Sequence, residues 1–149
     1  MNFSYPLAVL CATASLFGCA SSSDHSVNLP LAATQQNMGQ IATTTLTNVN
    51  NQTNFDFYIS GIPDGTTLPL RIYTFIHKGS CQQPGPVAYA MNDKVNTDNA
   101  ASTRGWSFYR SAPIPLQDLL AGKYAIVVRT APEDGNIAIF CGDVAQATK

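Results

Sequence analysis

Apolar and polar residues alternate in short runs from about Met38 onward. Ile41, Thr43, Thr45, Thr47 and Val49 share one parity of a Thr-rich stretch, and Phe55, Phe57 and Ile59 alternate with Asp56, Tyr58 and Ser60. Each stretch predicts a strand. The linker Asn50-Asn51-Gln52-Thr53 has hairpin character, and Gly61-Ile62-Pro63-Asp64-Gly65 is a turn signal. A third strand is predicted over residues 70–77, with Leu70, Ile72, Thr74 and Ile76 on one side and Arg71, Tyr73, Phe75 and His77 on the other. Residues 101–109, carrying Trp106 and Phe108, and the apolar runs 123–130 and 136–144 complete the strands, with a turn at 132–135. The Pro/Gly-rich residues 82–86 read as an ordered loop, and 116–120 as one helical turn stopped by Gly122. Short strands with almost no helix predict an all-β domain, an immunoglobulin-like or Greek-key β-sandwich or flattened barrel of about 7–8 antiparallel strands.

Composition narrows what such a domain does. Charged residues are 11 % of the chain, far below the roughly 25 % of average domains. The net charge is −1 and no basic block occurs, which argues against nucleic acid as a partner and against adhesion to anionic lipid by charge. The four cysteines divide by position. Cys11 lies within the apolar N-terminal segment and Cys19 directly after it, leaving Cys81 and Cys141 in the domain. In an exported protein two such residues are expected to form one disulfide, closing a loop of about 60 residues. A thiol metal site or a catalytic cysteine is the rival reading, with no CxxC and no evident base to support it.

The N-terminus supplies the export signal. Residues 7–18 are almost free of charge and rich in Ala and Leu, too short for a span of about 20 apolar residues but suited to the apolar core of a secretory signal. Leu16-Phe17-Gly18-Cys19 resembles a lipobox, the motif at which a lipoprotein signal peptidase cuts. Phe17 is bulkier than the usual residue there, and no Lys or Arg precedes Leu7. The resemblance implies that residues 1–18 are a signal peptide, that Cys19 carries diacylglycerol, and that its new amine is acylated, for instance with palmitate. Several acyl chains anchor a protein stably where one is marginal. Residues 19–37 are small and polar and are expected to form a flexible tether, with His25 a solvated residue within it. Ala20 follows the lipidated position, where Asp would imply retention in the inner membrane; the expected location is the outer membrane, facing the periplasm.

Within residues 38–146, several short motifs in a shared order resemble the copper/zinc superoxide dismutase family. They are Gly61-Ile62-Pro63-Asp64-Gly65, then Phe75-Ile76-His77-Lys78-Gly79-Ser80-Cys81, then Gly85-Pro86, Ala121-Gly122-Lys123-Tyr124, Val127-Val128-Arg129 and Phe140-Cys141-Gly142-Asp143-Val144. The family has a turn, a strand ending in His-x-His, a glycine loop with the first disulfide cysteine, a Gly-Pro-His, a Val-Val-His and a second cysteine in Ala-Cys-Gly. The chordin-type domain is similar as well. The resemblance implies a superoxide-dismutase-like sandwich, but not the enzyme. At the positions of the four copper-binding histidines this chain has Phe75, His77, Val87 and Arg129, and its zinc-loop carboxylates, Asp93 and Asp98, have no histidine beside them. A cycling copper needs several imidazoles in a fixed arrangement, and a guanidinium is a permanent cation.

By the family's parity Ile72, Thr74, Ile76, Tyr124, Ile126 and Val128 enter the core. Arg71, Tyr73, Phe75, His77, Ala125, Val127 and Arg129 then face outward, forming an aromatic patch with an arginine rim, a composition favoured at interfaces. The competing expectation is that residues 82–86, or the long loop 91–102, simply cover that face. For His77 the simplest role is structural, hydrogen-bonded to a loop carbonyl; a partner contact and a weak copper ligand are the alternatives. No nucleophile elbow surrounds Ser80, no carboxylate pair stands out and no phosphate loop is present. The chain is therefore expected to be a non-catalytic envelope module without cofactor, binding the membrane through Cys19 and an envelope protein through the patch. A divergent copper-binding or dismutase-like protein is the alternative.

Overall fold

The computed structural model describes residues 25–99 and 104–144. The expected signal segment, Cys19 and the stretch 100–103 lie outside them, so the predictions made for those residues are not addressed by the fold. Nine antiparallel strands form one curled sheet: β1 (Ser26–Ala33), β2 (Ala42–Val49), β3 (Gln52–Ile59), β4 (Ile72–Gly79), β5 (Pro84–Ala90), β6 (Asp98–Asn99), β7 (Trp106–Ala112), β8 (Tyr124–Thr130) and β9 (Ala138–Val144). Their spatial order is β5-β4-β8-β9-β1-β2-β3-β7-β6. The one α-helix among the described residues, α1 (Leu116–Ala121), buries Leu116 and Leu119. The all-β architecture expected from the alternation is present, with the Cys81–Cys141 disulfide in place.

The concave side holds the core. Leu46, Phe55, Phe57, Ile59, Ile72, Ile76, Ile126 and Val128 are wholly buried, each at the inward parity of its strand. Phe57 stacks between Phe55 and Phe108, with ring centroids 6.0 and 4.9 Å apart. The β2–β3 hairpin turns through Asn50 and Asn51, with φ of 50° and 62°. Asparagine tolerates this left-handed conformation, which suits the twist of a two-residue hairpin. Thr53 Oγ1 donates to Ile114 O (2.7 Å) and Asn48 Oδ1 accepts from Leu116 N (3.1 Å), fastening α1 and the segment before it to the β2–β3 end of the sheet.

Two expectations need correction. Residues 26–33 were expected to belong to a flexible tether, and the domain to begin at residue 38. They instead form β1, which lies between β2 and β9. Val27, Leu29 and Leu31 alternate inward, and Leu31 is 4 % exposed. Residues 82–86, expected as a loop, contribute the start of β5, which pairs with β4 along the sheet edge. Beyond β5 the chain stays beside β4, with Met91 N donating to Thr74 O, Ile72 N to Val95 O and Thr97 N to Leu70 O, and it then joins β7 as β6. The long loop therefore extends the edge strand.

Candidate functional site

The outward parity predicted for β4 is the one observed. Tyr73, Phe75 and His77 alternate with buried Ile72, Thr74 and Ile76. Register brings the predicted residues of β8 beside them: Tyr73 opposite Arg129, Phe75 opposite Val127, His77 opposite Ala125. Arg71 precedes β4 at the same parity and forms an ion pair with Glu133 (3.0 Å). The Glu133 carboxyl is held below the usual carboxylate range by a backbone hydrogen bond within its own residue and then by Arg71. The Arg129 guanidinium donates through Nη1 to Asn136 O (3.0 Å). Both arginines are thus held at their positions along the rim.

Part of this face is not open. Ala125 is wholly buried and Val127 is 5 % exposed, although parity alone turned both outward. Cys141 stands opposite Val127 on β9, so the disulfide lies beside Val127 and carries the 80–83 turn onto this side of the sheet. The turn has its own fastenings. Cys81 N donates to Asp143 Oδ1 (2.7 Å), Gln83 N to Ser80 Oγ (3.1 Å), and Ser80 N to Gln83 O (3.2 Å). Tyr73, Phe75, His77, Arg71 and Arg129 remain half-buried, and Val87 on neighbouring β5 is 49 % exposed. The accessible patch therefore shifts toward β4 and β5.

Gly79 allows the turn to start. Its φ is +94°, and an added Cβ would lie 2.5 Å from Gln83 O. Gly79→Ala is expected to destabilise by about 1–3 kcal/mol, combining left-handed strain with displacement of the turn backbone. Urea denaturation against the parent chain measures this, and a loss within experimental error would show that the turn relaxes freely.

His77 sits where the patch meets the turn. Its Nδ1 lies 2.9 Å from Gly85 O; a carbonyl only accepts, so Nδ1 carries the proton and donates. Nε2 is buried and without a hydrogen-bond partner among the described residues. His77 lines a cleft of about 220 Å³ together with Thr34, Val127, Arg129 and the Cys81–Cys141 disulfide. A metal ligand's second nitrogen is commonly fixed in this way, but the donor set does not fit copper. One imidazole shares the cleft with a guanidinium, and both sulfurs are committed to the disulfide. No group of three His, Cys, Asp or Glu residues is placed to hold a metal among the described residues.

Buried Arg110 was not among the predicted residues. It follows Phe108 at the same inward parity of β7, which is the signal that could have found it. Comparison of the chain with protein-family models, with curated proteins and with solved structures finds no match. The geometry of these residues therefore carries the functional reading.

Proposed function

We propose that this chain is a lipid-anchored protein of the cell envelope that works by contact, presenting the outer face of β4 and its neighbours to an envelope protein. The observation that carries this reading is the convergence of Tyr73, Phe75 and Val87 on one face, with Arg71, Arg129 and His77 around them. Aromatic side chains supply large contact area at low entropic cost, and arginines placed by existing bonds lose little freedom on docking. On this reading the sheet is superoxide-dismutase-like with its copper positions replaced, and attachment comes from acylated Cys19. The same motifs keep a divergent copper protein as the second reading, favoured only by the buried, unpartnered Nε2 of His77.

Two measurements test the proposal. Cys19→Ser should abolish incorporation of labelled palmitate and move the chain from the membrane to the soluble fraction; continued membrane retention would sink the anchor. A photo-crosslinker at position 75 should form a discrete adduct in intact cells that Arg129→Glu removes without lowering the melting temperature. Equal crosslinking from position 109, on an exposed part of β7, would count against the patch.

A further inference from the structure

Arg110 is the most unusual charge in the molecule. It is 7 % exposed, and no carboxylate within ion-pair distance balances it among the described residues. Its Nη2 donates to Ile72 O (2.9 Å) across the seam between β7 and β4, and its Nη1 donates to Tyr109 O (2.7 Å). The guanidinium carbon lies 4.7 Å from the Phe108 ring centroid. The buried Nε has no partner. Two carbonyls and a ring hold the group in place but do not neutralise it, and an uncompensated buried cation is costly. Burial lowers its pKa to about 10, so it remains charged at neutral pH.

Arg110 lines an open cleft of about 360 Å³ between β7 and the segment following β5. Lys94 stands in the same wall, with Asp93 beside it, and Asn54 and Ser111 add polar groups. Met91 and Tyr109 supply an apolar surface. The charged lining therefore carries a net of one positive charge. We propose that this cleft binds a small monocarboxylate with an apolar body, Arg110 serving as its fixed cation. A preorganised guanidinium suits a planar carboxylate, Lys94 draws anions toward the opening, and Asp93 disfavours a dianion such as phosphate. The site is separate from the β4 face and does not depend on how the chain is anchored.

The test uses the full chain purified in detergent and titrated with propionate, benzoate and inorganic phosphate against chloride at matched ionic strength. Propionate and benzoate should raise Tm saturably and shift the amide resonances of residues 91–94 and 109–111. Lys94→Gln should weaken binding by about threefold and Asp93→Asn tighten it by a similar factor, the scale of one partly screened charge. Arg110→Met should abolish saturable binding. Should that variant fail to fold, the exposed Lys94 and Asp93 positions still decide the matter. A carboxylate response no greater than that of chloride, tighter binding of phosphate, or affinities indifferent to both Lys94→Gln and Asp93→Asn would overturn the proposal.

Discussion

A chain that begins at residue 38 should fail to fold, giving far-ultraviolet circular dichroism without a strand signature and no cooperative thermal transition. The truncation removes β1, and with it the strand that joins β2 to β9. Leu31 is almost fully buried, and Val27 and Leu29 pack against the core. A fully buried aliphatic side chain contributes about 1.5–3 kcal/mol. Together with the lost ladder, one buried and two partly buried aliphatic positions make up a large share of the total stability of about 5–15 kcal/mol typical of a domain. Two exposed sheet edges would also invite aggregation. A chain beginning at residue 25 should retain the parent transition. If the shorter chain melts cooperatively near the parent temperature, β1 is dispensable and the sheet order needs revision.

The second large effect is expected from the disulfide. Replacing both cysteines, Cys81→Ser with Cys141→Ser, should lower stability by about 4 kcal/mol on the chain-entropy account, given a sequence separation of 60. The cost falls chiefly on the unfolded state, which gains the freedom of the released loop. The native sheet should persist, since β4, β8 and β9 remain paired along their length. Local damage should appear in the 80–83 turn, which keeps its bonds to Asp143 and Ser80 but loses its covalent tie. Urea denaturation of the double variant, and of the parent chain with and without reductant, measures both parts. A loss below about 1 kcal/mol would mean that residual structure already restrains the unfolded loop.

These effects bear on how much was legible in the sequence. The strands β2, β3, β4, β8 and β9 were predictable because each buries one parity and exposes the other, or runs apolar throughout. β1 carries the same alternation in Val27, Leu29 and Leu31, but polar neighbours and Pro30 disguise it. Proline is accommodated because β9 reaches β1 only at Ala32 and Ala33, leaving Ser26 to Leu31 with β2 alone. β5 was hidden for a related reason. Its Pro84-Gly85-Pro86 start reads as a turn, yet an edge strand with register shifts beside His77 tolerates it. Parity placed the β4 and β8 residues on their shared face, and Tyr73, Phe75 and Arg129 meet there. It could not show that the disulfide turn lies near Ala125 and Val127, because burial by a distant loop leaves no periodic trace. Arg110 was missed because an inward-facing arginine among apolar residues looks like an exception to its strand until its carbonyl partners are seen.

The position of β1 also orders events in time. Its Ser26–Leu31 half pairs with a strand that follows shortly in the chain, but Ala33 meets Phe140, almost at the far end of the described sequence. Were the chain exported through a narrow pore, N-terminus first, as the proposed anchor at Cys19 requires, the sheet could not close until β9 had emerged. Cys81 must likewise wait for Cys141. The β1–β9 joint thus makes a complete chain a precondition of the native state, and on the proposed route it would keep the chain unfolded while it crosses.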